Sequence, residues 1–292
     1  MTAPQNEAPS TFVVGLVGAG FMGSGLGWSL RTGGMRVITA LDGRSGRTAR
    51  LAAAAGIEPV DNTDILLRTA THVLVVTPPG AAIAAAETLA DAAKRTGARP
   101  VVADMNAISP TTAEMVATTL APLDFVDGSI SGPPPNVRAG ARLYFAGSRA
   151  GEFAALPWQH AIPIDLGGRA GAASALKMST ASVYKGLVAL YAQAIQAADA
   201  YGVLDAVVAD LDDAGYDLRH AVAMGATKAH RYVPEMLEIA AAQAGVGLNP
   251  DLFAAFADIY AEMATTPLAS DDPESVPDVM TAAEVVARLR KS

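Results

Sequence analysis

Along the first half of the chain, short unbroken apolar runs alternate with stretches whose apolar positions recur every three or four residues. The runs "FVVGLVG" (12–18), "RVITALD" (36–42), "HVLVVTP" (72–78), "PVVADM" (100–105), "DFVDGSI" (124–130), "RLYFAG" (142–147) and "IPIDLGG" (162–168) read as strands. A run without polar alternation is what a parallel strand covered on both faces requires. Between them, 21–32, 45–56 and the alanine-rich 80–96 read as helices. This βαβ order predicts a Rossmann-like α/β domain with a doubly wound, mostly parallel sheet and right-handed crossovers.

After Gly168 the strand pattern stops. Residues 171–202 read as one long helix, and 203–292 as shorter helices punctuated by Gly215, Pro234, Gly245, Gly247, Pro250 and Pro267. The expected organisation is a flexible tail at 1–11, a nucleotide-binding domain at 12–168 and an all-α domain for substrate and dimerisation at 169–292, joined by the long helix. A length of 292 residues suits two domains.

Composition narrows the function. Hydrophobic residues make up 51% and charged residues 17%, which suits a compact globular protein. The net charge of −8, with no basic run, argues against nucleic acid or anionic membrane as partner and leaves a small-molecule substrate. The chain has no cysteine, which excludes disulfides and thiolate chemistry and fits a cytoplasmic setting. His72, His160, His220 and His230 lack paired spacing, so no metal site is expected. No apolar run approaches the ~20 residues of a membrane span, and "MTAPQNEAPST" lacks the plan of a signal peptide.

The stretch "GLVGAGFMGSGL" (15–26) sets Gly18, Gly20 and Gly23 as G-x-G-x-x-G between a strand and a helix. The first glycine permits the tight turn, the second lets a pyrophosphate reach the backbone, and the third lets helix and strand pack closely. The helix start supplies free N–H groups and positive potential for phosphates. Gly18, Ala19, Gly20, Phe21, Met22 and Gly23 are thus the candidate cofactor turn. Past the second strand, Asp42 is placed to bond the ribose 2′-OH of NAD(H). It is followed by Arg44, Ser45 and Arg47, and a guanidinium beside a hydroxyl suits a 2′-phosphate. The loop favours NADP(H), with NAD(H) as the alternative.

Together these residues resemble the β-hydroxyacid dehydrogenase superfamily, which includes 3-hydroxyisobutyrate and 6-phosphogluconate dehydrogenases and, further off, imine reductases. The similarity runs over nearly the whole chain. "GLVGAGFMG" is similar to the superfamily's G-x-G-x-M-G opening, and "GRS" (43–45) sits where NADP-using members carry Asn-Arg-Ser/Thr. "VVTPPG" (75–80) resembles the loop beside the nicotinamide half of the cofactor, which implicates Thr77, Pro78 and Pro79. "DMNAISP" (104–110) resembles D-x-S-T-x-x-P with Asn106 in place of the serine. "DGSISGPPPNVRAGARLYFAG" (127–147) is similar to the substrate loop, centred on Ser131, Gly132 and Pro133. "GAASALKM", "YKGL" and "RYVPEMLEIA" resemble a branch with its own phosphogluconate dehydrogenase-like C-terminal domain.

The resemblance implies that Lys177, on the long helix, is the catalytic group facing an interdomain cleft, and that the protein dimerises through its C-terminal helices. It implies further that Ser131 holds a substrate oxygen and that Asn106 positions the nicotinamide or the reacting group. Asn106 is equally suited to cap the helix after Pro110. Two departures stand out. Ala181 replaces the asparagine usual four residues after the lysine, and Glu235-Met236 stands where a Lys-Asp pair is common. Tyr184, seven residues after Lys177 and on its face, is a candidate replacement hydroxyl, and Glu235 a candidate substrate contact. Lys185 lies ~80° away around the helix and is expected to be structural or solvent-exposed. The expected activity is hydride transfer between nicotinamide C4 and a small hydroxyacid or carbonyl compound, with Lys177 as general acid/base. The alternatives are imine reduction with NADPH and a non-catalytic NADP-binding sensor.

Overall fold

A computed structural model of the protein describes residues 12–290; the tail assigned to 1–11 lies outside the described residues. Eight strands are formed: β1 (Val13–Val17), β2 (Arg36–Ala40), β3 (Glu58–Val60), β4 (His72–Val75), β5 (Val101–Asp104), β6 (Phe125–Ser131), β7 (Ala141–Ala146) and β8 (Ala161–Asp165). They make one sheet in the order β3-β2-β1-β4-β5-β6-β7-β8, parallel throughout except for the antiparallel pair β6–β7. The helices of this half are α1 (Phe21–Thr32), α2 (Gly46–Ala54), α3 (Thr63–Thr69), α4 (Ala82–Thr96), α5 (Pro110–Leu120) and α6 (Ala150–Ala154).

The unbroken apolar strands are explained by two separate cores. In β1, Val14 and Leu16 point to the face covered by Leu26 and Leu30 of α1, while Val13 and Val17 join the opposite core. In β4, Leu74 belongs to the first face, and Val73 and Val75 to the second, against Leu89 and Ala93 of α4. Alternate residues serve opposite faces, so both sets must be apolar. Burying one such side chain contributes roughly 1.5–3 kcal/mol.

The second half is helical: α7 (Ala172–Ala200), α8 (Leu204–Asp213), α9 (Arg219–Ala226), α10 (Ala229–Ala244), α11 (Asp251–Met263) and α12 (Ala282–Leu289). α10 packs along α11, with Tyr232 and Tyr260 edge to face at 5.2 Å between ring centres. The chain divides into two compact units between Lys177 and Met178, inside α7. Sequence places the division at Gly168, just past the end of the sheet at Asp165. The first turns of α7 instead stay with the sheet unit because side chains of β6 hold them, as described below. Among the described residues, no helix is long and apolar enough to cross a membrane.

Candidate functional site

Strand order reverses at β1, which pairs with β2 on one side and β4 on the other. In an open α/β sheet, the crevice past the carboxyl ends of two such strands is where ligands bind. The glycine turn lies there. Gly18 has φ +92°, and a Cβ on it would sit 2.2 Å from the Val76 carbonyl oxygen. A Cβ on Gly23 would sit 2.1 Å from the Gly18 carbonyl oxygen, so turn, helix and β4 close only with glycine at both positions. Gly20 differs: a Cβ there would meet nothing within 4 Å. It is also the N-cap of α1, with no side chain bonding the first-turn N–H groups. Open space above uncapped N–H groups fits a dinucleotide pyrophosphate. Ala19 is buried, Met22 packs on the core and Phe21 is exposed, so the turn offers a ligand backbone rather than side chains.

Beyond β2, Ser45 caps α2 by accepting the Thr48 N–H at 3.3 Å. Arg44 and Arg47 are exposed, and neither makes an ion pair among the described residues. Asp42 is exposed beside them.

A buried polar chain supports the loop after β4. Asn106 accepts the Thr77 N–H on Oδ1 at 2.6 Å, and its Nδ2 donates to Thr77 Oγ1 and to Asp104 Oδ2, each at 3.0 Å. Asp104 Oδ1 accepts the Asn106 backbone N–H at 2.9 Å. Asp104 and Asn106 are each 2% exposed. Burial pushes the Asp104 carboxyl up to about 7, with Asp127 opposite it on β6 adding to the rise. Asn106 does not cap α5; Ser109 does, accepting the Thr112 N–H at 3.1 Å. The Asn106 amide is spent on the Thr77-Pro78-Pro79 loop.

Strand β6 organises the other half of the site. Asp127, Ser129 and Ser131 alternate onto one face. Asp127 Oδ2 accepts N–H groups of Gly171 (2.9 Å), Ala173 (2.8 Å) and Ser174 (3.0 Å), while Oδ1 accepts the Ser174 hydroxyl at 2.6 Å. Ser129 Oγ donates to the Ala173 carbonyl at 2.9 Å. Burial raises the Asp127 carboxyl, and the bonds from α7 oppose that rise. One turn further along α7, Lys177 Nζ donates to the Ile130 carbonyl at 2.8 Å, beside Ser131. Its ammonium is held below the ordinary lysine range by burial. The 131–133 loop turns back through Gly132, where φ is +127° and a Cβ would sit 2.9 Å from Ala141 Cα, leaving no room for a side chain. Pro134 of the same loop packs against Gly25 of α1. Lys177, Ser131 and the cofactor turn are thereby tied to one scaffold.

In the helical unit, Lys185 is only 15% exposed: it pairs with Glu235 and its ammonium lies 4.3 Å from the Tyr232 ring centre. Of the two expectations for Lys185, structural or solvent-exposed, the structural one holds, since an ammonium this far from water needs its counter-ion. Glu235 is the counter-ion of this pair, so its carboxylate is engaged within the unit. Tyr184 is 72% exposed. Two participants carried no assigned role in the sequence reading, Asp104 and Asp127. The signal for both was an acid closing or interrupting an apolar run, "VVAD" and "FVD"; a buried carboxyl needs partners. A cavity of about 1130 Å³ lies at the opposite ends of the strands, lined by Phe12, Met35, His72, Arg99 and Glu152. None of the candidate site residues lines it.

Comparison with known proteins agrees with this geometry. Residues 13–157 match the model of the NAD binding domain of 6-phosphogluconate dehydrogenase, and residues 198–263 match a domain of unknown function. A conserved protein of unknown function, whose structure was described as similar to 3-hydroxyacid dehydrogenases, is 29% identical; the likeness covers 86% of this chain and 96% of that one, with a TM-score of 0.67. The 3-hydroxyisobutyrate dehydrogenase of Mycobacterium tuberculosis is 19% identical over 96% of this chain and 99% of its own, with a TM-score of 0.68. An imine reductase of Streptomyces aurantiacus is 20% identical over 90% and 98%, with a TM-score of 0.55.

Proposed function

The chain belongs to the β-hydroxyacid dehydrogenase superfamily and is an NAD(P)-dependent oxidoreductase, and from that premise we propose that it uses NADP(H) to interconvert a small hydroxyacid and its carbonyl form with Lys177 as general acid/base. The observation that carries the reading is the Lys177 ammonium, half-buried and fixed by the Ile130 carbonyl beside Ser131.

With its pyrophosphate held by the Gly18–Gly23 turn, a bound nicotinamide dinucleotide would supply or accept the hydride at C4. The chain's own residues handle the proton. In reduction, Lys177 Nζ gives a proton to the oxygen of the forming alkoxide; in oxidation, the neutral amine takes the hydroxyl proton. The Ile130 carbonyl accepts an N–H from either form, so the amine stays aimed through the cycle. Burial lowers the lysine pKa from its ordinary value, which makes the neutral amine easier to reach. Ser131 Oγ and the 131–133 loop hold the substrate oxygen. A cofactor-linked absorbance assay across hydroxyacids, semialdehydes and cyclic imines tests the reading: turnover of hydroxyacids or semialdehydes supports it. Turnover of cyclic imines alone would transfer it to imine reduction, the reading favoured by Ala181, buried and without a polar atom. No turnover at all would leave the non-catalytic sensor.

Arg44, exposed and without an ion pair, is proposed to read the 2′-phosphate. A charge-assisted hydrogen bond contributes roughly 1.5–3 kcal/mol, about ten- to a hundred-fold in affinity. Arg44→Ala therefore weakens NADPH binding by that factor and leaves NADH binding nearly unchanged. Equal losses would return the discriminating role to Asp42.

The same reading includes a homodimer through the helical unit. Val183, Tyr184, Leu187 and Leu190 form an exposed stripe at helical spacing on α7. Light scattering at micromolar concentration is expected to report twice the mass of one chain; a single-chain mass rejects the dimer. Leu187→Glu on the stripe shifts the population to monomer.

A further inference from the structure

We propose that Asp104 and Asn106 are positioning residues that hold the Thr77 hydroxyl as a hydrogen-bond donor to the bound dinucleotide. The inference rests on the cofactor reading given above, and the argument is one of donor and acceptor accounting. An ionised carboxylate only accepts, so Asp104 Oδ2 requires the nitrogen end of the Asn106 amide on its side. That nitrogen has two hydrogens, and the second goes to Thr77 Oγ1. The amide oxygen meets the Thr77 N–H. With both ends of the amide committed and its residue buried, Asn106 itself cannot reach a ligand. Thr77 Oγ1, having received a hydrogen, has its own proton left to give. The half-buried Thr77 directly follows Val76, whose carbonyl oxygen lies against Gly18 of the phosphate turn. The acceptor for that proton is an oxygen of the dinucleotide.

The chain of bonds is sensitive to one proton. The charged group facing Asp104 is Asp127 on β6; β4 presents Val75, and the following loop presents the neutral Asn106. With its carboxyl pushed up to about 7, Asp104 loses its charge as pH falls below neutrality. A protonated carboxyl keeps one carbonyl oxygen as acceptor and turns the other into a hydroxyl, so the two charge-assisted bonds it accepts from Asn106 are weakened. The Asn106 amide is then held less firmly, and with it Thr77 as donor. Cofactor affinity is expected to be strongest above pH 7 and to weaken as pH falls through it.

The test is equilibrium binding of NADPH, followed by fluorescence without substrate, from pH 6 to 8.5 on the full chain. In wild type the dissociation constant is expected to rise about three- to ten-fold from pH 8 to pH 6 beyond any change shared by the variants, the size of one neutral hydrogen bond. Thr77→Val has weak binding at all pH values and lacks this extra rise, and Thr77→Ser restores both affinity and rise. Asp104→Asn resembles wild type at pH 6 throughout. The Thr77 pair, on a half-buried loop, decides the matter should Asp104→Asn fail to fold. Wild-type affinity in Thr77→Val, or an unchanged pH response in either Thr77→Val or Asp104→Asn, overturns the proposal while leaving the cofactor reading intact. Failure of wild type to bind NADPH or NADH overturns both.

Discussion

Lys177→Ala is expected to lower single-turnover hydride transfer by about 10²–10⁴, the usual cost of losing a general acid or base. NADPH affinity changes little, because the groups assigned to the cofactor are the Gly18–Gly23 turn, Arg44 and Thr77, not Lys177. The pH dependence gives a sharper signature. In the oxidation direction the neutral amine is the working form, so the wild-type rate climbs as pH rises through the lysine pKa, which burial sets below its ordinary value. In the reduction direction the rate falls over the same range, since the ammonium is then the donor. Both limbs vanish in Lys177→Ala. The helix should survive, as alanine is the best helix former and the start of α7 is held by Asp127 and Ser129. A rate within a few-fold of wild type would make Lys177 a packing residue and leave Ser131 or Tyr184 as the better candidate. Loss of cofactor binding would contradict the division of labour between turn and lysine.

Asp127→Ala is expected to destabilise the sheet unit by about 3 kcal/mol or more. One carboxylate accepts three backbone N–H groups and one hydroxyl; removing it leaves several buried donors unpaired, each costing ~1–3 kcal/mol before relaxation. Asp127→Asn is the graded control. Its Oδ1 still accepts N–H groups and its Nδ2 meets the Ser174 hydroxyl oxygen, so the loss is smaller. Urea unfolding of the three proteins reads the order wild type, Asn, Ala. If Ala fell within ~0.5 kcal/mol of wild type, β6 would not be what pins α7. Activity adds a second readout. Lys177 lies four residues past Ala173, so loosening the start of α7 moves its amine relative to Ile130, and Asp127→Asn should lose rate before it loses cofactor.

Much of this was visible in the chain because the determinants are local. The first strand, the glycine turn and the helix after it lie within 13–32, and each signals itself through composition. The long helix α7 is likewise a continuous pattern. Elements that signal little locally were missed. β3 is three residues with a proline at its centre and side chains that are mostly exposed; it is a strand only because β2 offers it an edge. α3 has seven residues and owes its start to the Asn62 side chain accepting the Ile65 N–H. The antiparallel turn from β6 to β7 was equally silent, since both strands read as apolar runs whichever way they pair.

The sequence by itself determined the α/β half, the helical half, the phosphate turn and the short set of residue types able to carry chemistry. Backbone sterics, strand burial and helix periodicity act between neighbours, so a linear reading suffices for them. Only the tertiary structure decided what each polar side chain is paired with. Asp127 meets α7 across 44 to 47 residues, Asn106 meets Thr77 across 29, and Lys185 meets Glu235 across 50. The physical reason is desolvation. A carboxyl, amide or ammonium taken from water must find its partner wherever the fold brings one. That partner, not the residue type, makes Asp127 a helix cap, Asn106 a support for Thr77, and Lys185 half of an ion pair.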